Sequence, residues 1–161
     1  MNTWFSEIVK DTNERILSDQ ELERIMIYYG GMPARLRASE EVEQLEGELA
    51  GTLFGELKKK FPKRTLYGRR LVQDVLESLR TMAQAMLADE PKLFRLRWMN
   101  HMGRVVEELD LDPSEIQDIY ALIQEKAAAK LSAHSRELMQ PYFDELAESL
   151  TPVAARPALS R

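Results

Sequence analysis

In the stretch "YGRRLVQDVLESLR", residues 67 to 80, two arginines, a glutamine and a lone aspartate stand around an apolar stripe. At about 100° per residue, Leu71, Val75, Leu79, Met82 and Met86 fall within a narrow arc and form the core face of a helix. Asp74 projects from the flank, roughly 100° from the centre of that arc, in a row with Tyr67, Arg70 and Ser78 at helical spacings. Arg69, Gln73 and Arg80 take the far side. A carboxylate only accepts hydrogen bonds, whereas each guanidinium presents a planar fork of donors. The set therefore suits one of two jobs. One is a surface ion pair from Arg70 to Asp74, worth roughly 0.3–0.5 kcal/mol. The other is an anion-and-donor site, with Asp74 gathering several N–H groups and the arginines holding carboxylates. The ion pair explains little, because the base precedes the acid and arginines at a helix start oppose its dipole.

The elements that must position these residues are all helical. Apolar residues recur at helical spacing almost throughout, and no stretch alternates with period two over the length of a strand. "TWFSEIVKDTN" (3–13) predicts a short amphipathic helix with Trp4, Phe5 and Ile8 on its sticky side. A second helix starts at "SDQE", where Ser18 and Glu21 form a capping box, and "GG" at 30–31 is expected to end it. A third is expected from about Ser39 to Lys60, with acids in its first turns and lysines in its last. Its Gly47, Gly51 and Gly55 recur every fourth residue, at a cost of about 1 kcal/mol each against alanine. That cost suggests a close helix crossing, with the alanines of "MAQAMLA" as partners. The helix carrying Asp74 is expected over 66–88, closed by "DEP", and a fifth over 92–109. Asp112 and Pro113 open a sixth. Pro141 is expected to break or kink the segment 134–150, and residues 151–161 to form a flexible tail after a single domain of 1–150. Six to eight unequal helices suggest a globin-like pack rather than an even four-helix bundle.

The 161 residues, 44% hydrophobic and 30% charged, are enough for one domain with a substantial core. With zero cysteines, a disulfide framework, a zinc-thiolate site, a cysteine nucleophile and a thioether-linked prosthetic group are all excluded. A net charge of −5 with interspersed signs argues against nucleic-acid binding, and the one compact basic run, "KKKFPKR" (58–64), suits a helix C-terminus. No apolar run is long enough to span a membrane and no secretory signal opens the chain, so a cytoplasmic location is expected.

The run "LRTMAQAMLADEPKLFRLRWMN" (79–100) resembles the phycobiliprotein segment that follows the bilin attachment helix. "IVKDTNERILSDQELERI" (8–25) resembles the N-terminal region of allophycocyanin-like subunits, and "AGTLF" (50–54) fits as well. The resemblance implies a globin-like fold preceded by N-terminal helices, about residues 1–30, that pair subunits into a homodimer. It implies that Asp74 accepts hydrogen bonds from the central pyrrole nitrogens of a bilin. Leu71 stands where the family has its attachment cysteine and Gln73 where it has an arginine, so attachment is noncovalent and Arg70, then Arg69, takes over the propionates. Trp98, Met99 and Met102 would face the pyrrole plane, and Tyr67 would either donate to a ring carbonyl or cap the helix. A cysteine-free chain is most similar to the bilin biosynthesis-associated globins. Its implied ligand is biliverdin or a reduced derivative such as phycocyanobilin, and its implied partners are bilin-forming enzymes.

Two rivals stand beside this reading. A heme globin would use His101, in the helix with the ligand-bearing role, whereas His134 sits in a polar setting. A family member that has lost its ligand would act as an interaction module. No arrangement of residues typical of an enzyme appears.

Overall fold

Where hydrophobic residues recur at helical spacing, helices form, and the caps that start and stop them are the ones their local chemistry requires. The computed structural model describes residues 6–8, 10, 16–60, 62, 68–98 and 112–154. Helix α1 spans Asp19–Lys60, α2 Gly68–Leu87, α3 Pro113–Lys130 and α4 Ala133–Ala154. Residues 91–98 are also helical, and no strand occurs among the described residues. Ser18 opens α1 as expected: its backbone N–H donates to Glu21 Oε2 at 2.8 Å and the Glu21 N–H donates to Ser18 Oγ at 3.4 Å. Asp112 and Glu115 make the same reciprocal box at the start of α3, with Pro113 in the first turn. At the end of α2, Asp89 takes the left-handed conformation (φ 54°). The Glu90 N–H then reaches Ala85 O at 3.0 Å and the Asp89 N–H reaches Met86 O at 2.9 Å, the two bonds of a Schellman cap.

Three expectations fail on the helices. The pair Gly30–Gly31 does not end a helix, because neither takes a positive φ, and α1 runs unbroken through Pro33. Pro33 brings no N–H for the carbonyl four residues earlier. Beside this gap the Arg35 guanidinium folds back along α1, donating from Nη2 to Tyr28 O at 2.6 Å and lying 4.6 Å from the centre of the Tyr28 ring. Gly31 makes room for it: a Cβ there would stand 2.7 Å from Arg35 Nη1. Pro141 does not interrupt α4 either, since it lies on the exposed side, where water can serve the carbonyl it strands. Helix α4 continues to Ala154, four residues into the expected tail.

The glycine row also behaves differently. A Cβ at Gly47, Gly51 or Gly55 would meet nothing within 4 Å, so none of the described helices crosses there. Leu49, Leu53 and Leu57, offset by two residues and thus about 200° around the axis, are the buried row instead. They pack with the apolar face of α2, where Leu71, Val75, Leu79, Met82 and Met86 are all buried as expected. The close glycine is Gly68, whose Cβ would come 3.2 Å from the Phe54 ring.

α1 lies mainly along α2 and also touches α3 and α4, while α2 packs on α4 as well. Polar ties fix this arrangement at its edges. The Glu41 carboxylate of α1 accepts from Ser132 N and Ser132 Oγ at the start of α4, both at 2.9 Å. Arg80 of α2 grips Glu46 of α1 with three bonds of 2.6–2.8 Å.

The first part of α1 extends beyond this core and is tied to it by the Tyr28 hydroxyl, which donates to Leu87 O at 3.2 Å. Arg35 is its first buried residue, so the sixteen positions before it, about 24 Å of helix, form an arm. Leu22 (43% exposed), Met26 (74%), Tyr29 (56%) and Leu36 (48%) make an uncovered apolar stripe along it. The expected sticky face of the N-terminal segment is different: Ile8 is buried within the chain itself. Trp4 and Phe5 lie outside the described residues.

Candidate functional site

The buried face of α2 is broader than its hydrophobic stripe. Ser78 and Ala85 extend it on one side, and Val72, Leu76 and Ala83 on the other. Asp74 therefore sits on the rim of the buried face rather than on a solvated flank. It is half-buried, and its Oδ2 is closed off from solvent. One turn later the Ser78 hydroxyl donates to the Asp74 backbone oxygen at 3.1 Å and lies 3.0 Å from the Tyr120 hydroxyl, which arrives from α3. Trp98 meets Tyr120 edge-on, ring centres 5.6 Å apart at 82°.

Burial pushes the Tyr120 phenol well above its ordinary value. Contacts with Ser78 and Trp98 pull it back in part, and the Asp74 carboxylate pushes it up again. Tyr120 is thus a neutral donor throughout the physiological range. The four side chains come from α2, α3 and the helical residues 91–98, and together they make a polar seam inside an apolar core.

Of the residues singled out from the sequence, the structure brings Asp74, Leu71 and Trp98 to this wall. Leu71 (3% exposed) and Trp98 (1%) are core residues. Arg69, Arg70 and Gln73 are exposed beside the rim. Neither Asp74 nor Arg70 is a free charge, as both take part in polar interactions. Tyr67, Met99, Met102 and His101 lie outside the described residues. His134, expected to be solvated, is exposed.

Ser78 and Tyr120 were missed as site residues. Ser78 stood in the Asp74 row, but a serine there reads equally well as a surface residue. Tyr120 carried a signal that helical phase makes visible: it shares a face with Ile116, Ile119 and Ile123, and a tyrosine buried among isoleucines needs a partner for its hydroxyl.

The site offers an acceptor-only carboxylate, one cationic side chain, Arg70, a turn away at the solvent edge, and the neutral Ser78, Tyr120 and Trp98 side chains inside. A carboxylate of this kind can accept from N–H groups, and a guanidinium can pair with a carboxylate. The set does not fit a metal: no group of three His, Asp or Glu side chains occurs among the described residues. No described helix is long and apolar enough to cross a membrane.

No curated protein matches the chain. The sequence profile of the phycobilisome proteins, however, matches residues 9–150. That span takes in the arm, the Asp74 helix and both C-terminal helices, and with it the chain belongs to the phycobilisome protein family and has its all-α, globin-like fold.

Proposed function

We propose that this protein binds a linear tetrapyrrole, biliverdin or a reduced derivative such as phycocyanobilin, noncovalently on the α2 rim, as a carrier, store or sensor of bilins. The observation that carries the proposal is Asp74: a carboxylate at the edge of the core, one oxygen enclosed, on the helix of a cysteine-free phycobilisome family member. A bound bilin would supply a conjugated chromophore with pyrrole N–H donors and propionate carboxylates. Asp74 accepts from the pyrroles, which favours a protonated, extended ligand. Arg70, with Arg69 behind it, pairs with the propionates, and Gln73 fills the place of a further cation. Tyr67, Met99 and Met102, which lie outside the described residues, are the further ligand contacts that the family resemblance implies. With Leu71 in place of a thiol, the ligand exchanges rather than staying attached. The protein acts without catalysis of its own, in the cytoplasm, next to the enzymes that make bilins.

A second copy of the chain is the proposed structural partner. Leu22, Met26, Tyr29 and Leu36 lie in one arc of about 80°, wide enough to seat a helix. The stripe is centred near Tyr29. Antiparallel pairing about that point sets Leu22 against the other copy's Leu36 and brings Arg37 between the other copy's Asp19 and Glu23, all three exposed. Gly30, with open space at its Cβ, lets the two arms approach.

The ligand-free module is the second reading, favoured by the interactions that already occupy Asp74 and Arg70. Co-expression with a heme oxygenase and a bilin reductase separates the two. A long-wavelength band that is lost on acid denaturation and solvent extraction supports the bilin. Colourless protein from both bilin and heme loading supports the module, and a Soret band alone supports a heme globin. Asp74→Ala is expected to weaken or blue-shift the bilin band with helicity intact, and an unchanged spectrum removes Asp74 from the site.

A further inference from the structure

Arg35, 6% exposed, is the one charged side chain buried among the described residues. A guanidinium taken out of water is costly unless its surroundings hold it, and the groups around this one all belong to a single joint of the molecule. Its Nη2 donates to Tyr28 O at 2.6 Å, and its central carbon stands 4.6 Å over the Tyr28 ring. Its Nη1 is 3.8 Å from the Asp89 carboxylate, just past the end of α2. The Tyr28 hydroxyl donates to Leu87 O, and the Tyr142 hydroxyl of α4 donates to Ala85 O, each at 3.2 Å. Two hydroxyls and a cation thus gather at the C-terminal end of α2, the negative pole of that helix.

These contacts bridge the weakest turn of α1. Gly30, Gly31 and Pro33 are the poorest helix formers, and Pro33 also strands one carbonyl. A helix bends most readily at such a turn. It lies between the arm, in which none of residues 19–34 is buried, and the body that begins at Arg35. Arg35 reaches back across the turn to Tyr28, and both side chains hold on to the end of α2.

We propose that Arg35 and Tyr28 form a latch that sets the angle of the arm against the body, and that the latched angle is the one in which two copies of the chain pair. The second half rests on the pairing of arms proposed above, and the first stands without it. Pairing requires the correct angle in both copies at once. If a released arm holds that angle about a third of the time, the dissociation constant of the dimer rises about tenfold, the inverse square of that fraction.

The chain contains no cysteine, so two can be introduced at exposed positions to carry spin labels: Gln20→Cys, on the side of the arm away from the apolar stripe, and Ala129→Cys on α3. Pulsed electron–electron double resonance on labelled chain diluted in unlabelled chain reads the distance within one molecule. One narrow distance is expected for the doubly labelled parent. Arg35→Met, Tyr28→Phe and Gly31→Ala are each expected to broaden it, and to weaken the dimer about tenfold in sedimentation. Asp89→Asn removes the charge but tolerates the left-handed conformation, and should broaden the distance less. Gly31→Ala is the sharpest arm, since alanine strengthens the helix while its Cβ, 2.7 Å from Arg35 Nη1, displaces the guanidinium. Broadening in that variant is the mark of a lost latch. A narrower distribution there, or a distance unchanged in all the variants, would overturn the proposal, because helical continuity alone would then hold the arm. Should Arg35→Met lose its helical ellipticity, Gly31→Ala and Asp89→Asn carry the test. A parent chain that stays monomeric while its variants broaden would keep the latch and overturn the pairing.

Discussion

Alanine at the three outward glycines of α1 provides a clean probe of how this helix is used. Gly47 and Gly51 are exposed, Gly55 is half-exposed, and an added Cβ meets nothing within 4 Å at any of them. No contact is lost and none is strained, so the backbone effect remains alone. Each Gly→Ala change removes conformational freedom from the unfolded chain and should stabilise by about 0.8–1 kcal/mol. The triple variant Gly47→Ala, Gly51→Ala, Gly55→Ala should then gain about 2.5–3 kcal/mol. For a chain of this size that corresponds to a rise in melting temperature of roughly 5–12 °C. Urea denaturation followed by helical ellipticity is the assay, with the midpoint moving up and the slope unchanged. The reasoning fails if the triple variant is less stable than wild type, because the row would then face a helix at close range, as its spacing first suggested. A gain in stability coupled to weaker self-association would instead show that the row meets a second copy.

The same substitution sixteen residues earlier should have the opposite sign. Gly31→Ala brings a Cβ to 2.7 Å from Arg35 Nη1, so the guanidinium must leave Tyr28 O, and the loss of a charge-assisted bond should outweigh the helical gain by about 1 kcal/mol in the same denaturation experiment. Met26→Glu puts a charge at the most exposed point of the helical stripe and should shift sedimentation from dimer to monomer with ellipticity unchanged; a persistent dimer would move the interface elsewhere. On the alkaline side, Tyr120 and Tyr142 are both held above the ordinary tyrosine value, in each case chiefly by burial. The folded state keeps protons that the unfolded state releases, so stability is whole below about pH 10 and falls as pH rises beyond it. Tyr120→Phe should flatten that decline in a pH series of melting temperatures.

Much of the fold was legible from local chemistry. Ser18 with Glu21 and Asp112 with Glu115 form the capping boxes their spacing predicts, and "DEP" closes α2 through the left-handed Asp89. These signals act within a turn of helix and need nothing from the rest of the chain. Glycine and proline misled where their local preference was overruled. Gly30 and Gly31 stay helical, Gly31 giving room to the Arg35 guanidinium, and Pro33 and Pro141 sit inside long helices. None of these outcomes is visible without knowing which side of the helix faces water.

The sequence by itself determined the helical period of nearly every element, the ends of several, and the offset of Asp74 from the apolar stripe of α2, because each depends only on residues a turn or two apart. It also laid two rows on α1, Gly47–Gly51–Gly55 and Leu49–Leu53–Leu57, on opposite sides. Only the tertiary structure decided that the leucines meet α2 and the glycines face outward, since burial of apolar surface favours the larger side chains. It alone brought Tyr120 across 42 positions to Ser78, and Trp98 against Tyr120. That convergence makes Asp74 the edge of a buried polar seam rather than a charge in water, because helical phase sets the direction of a side chain while packing sets what it meets.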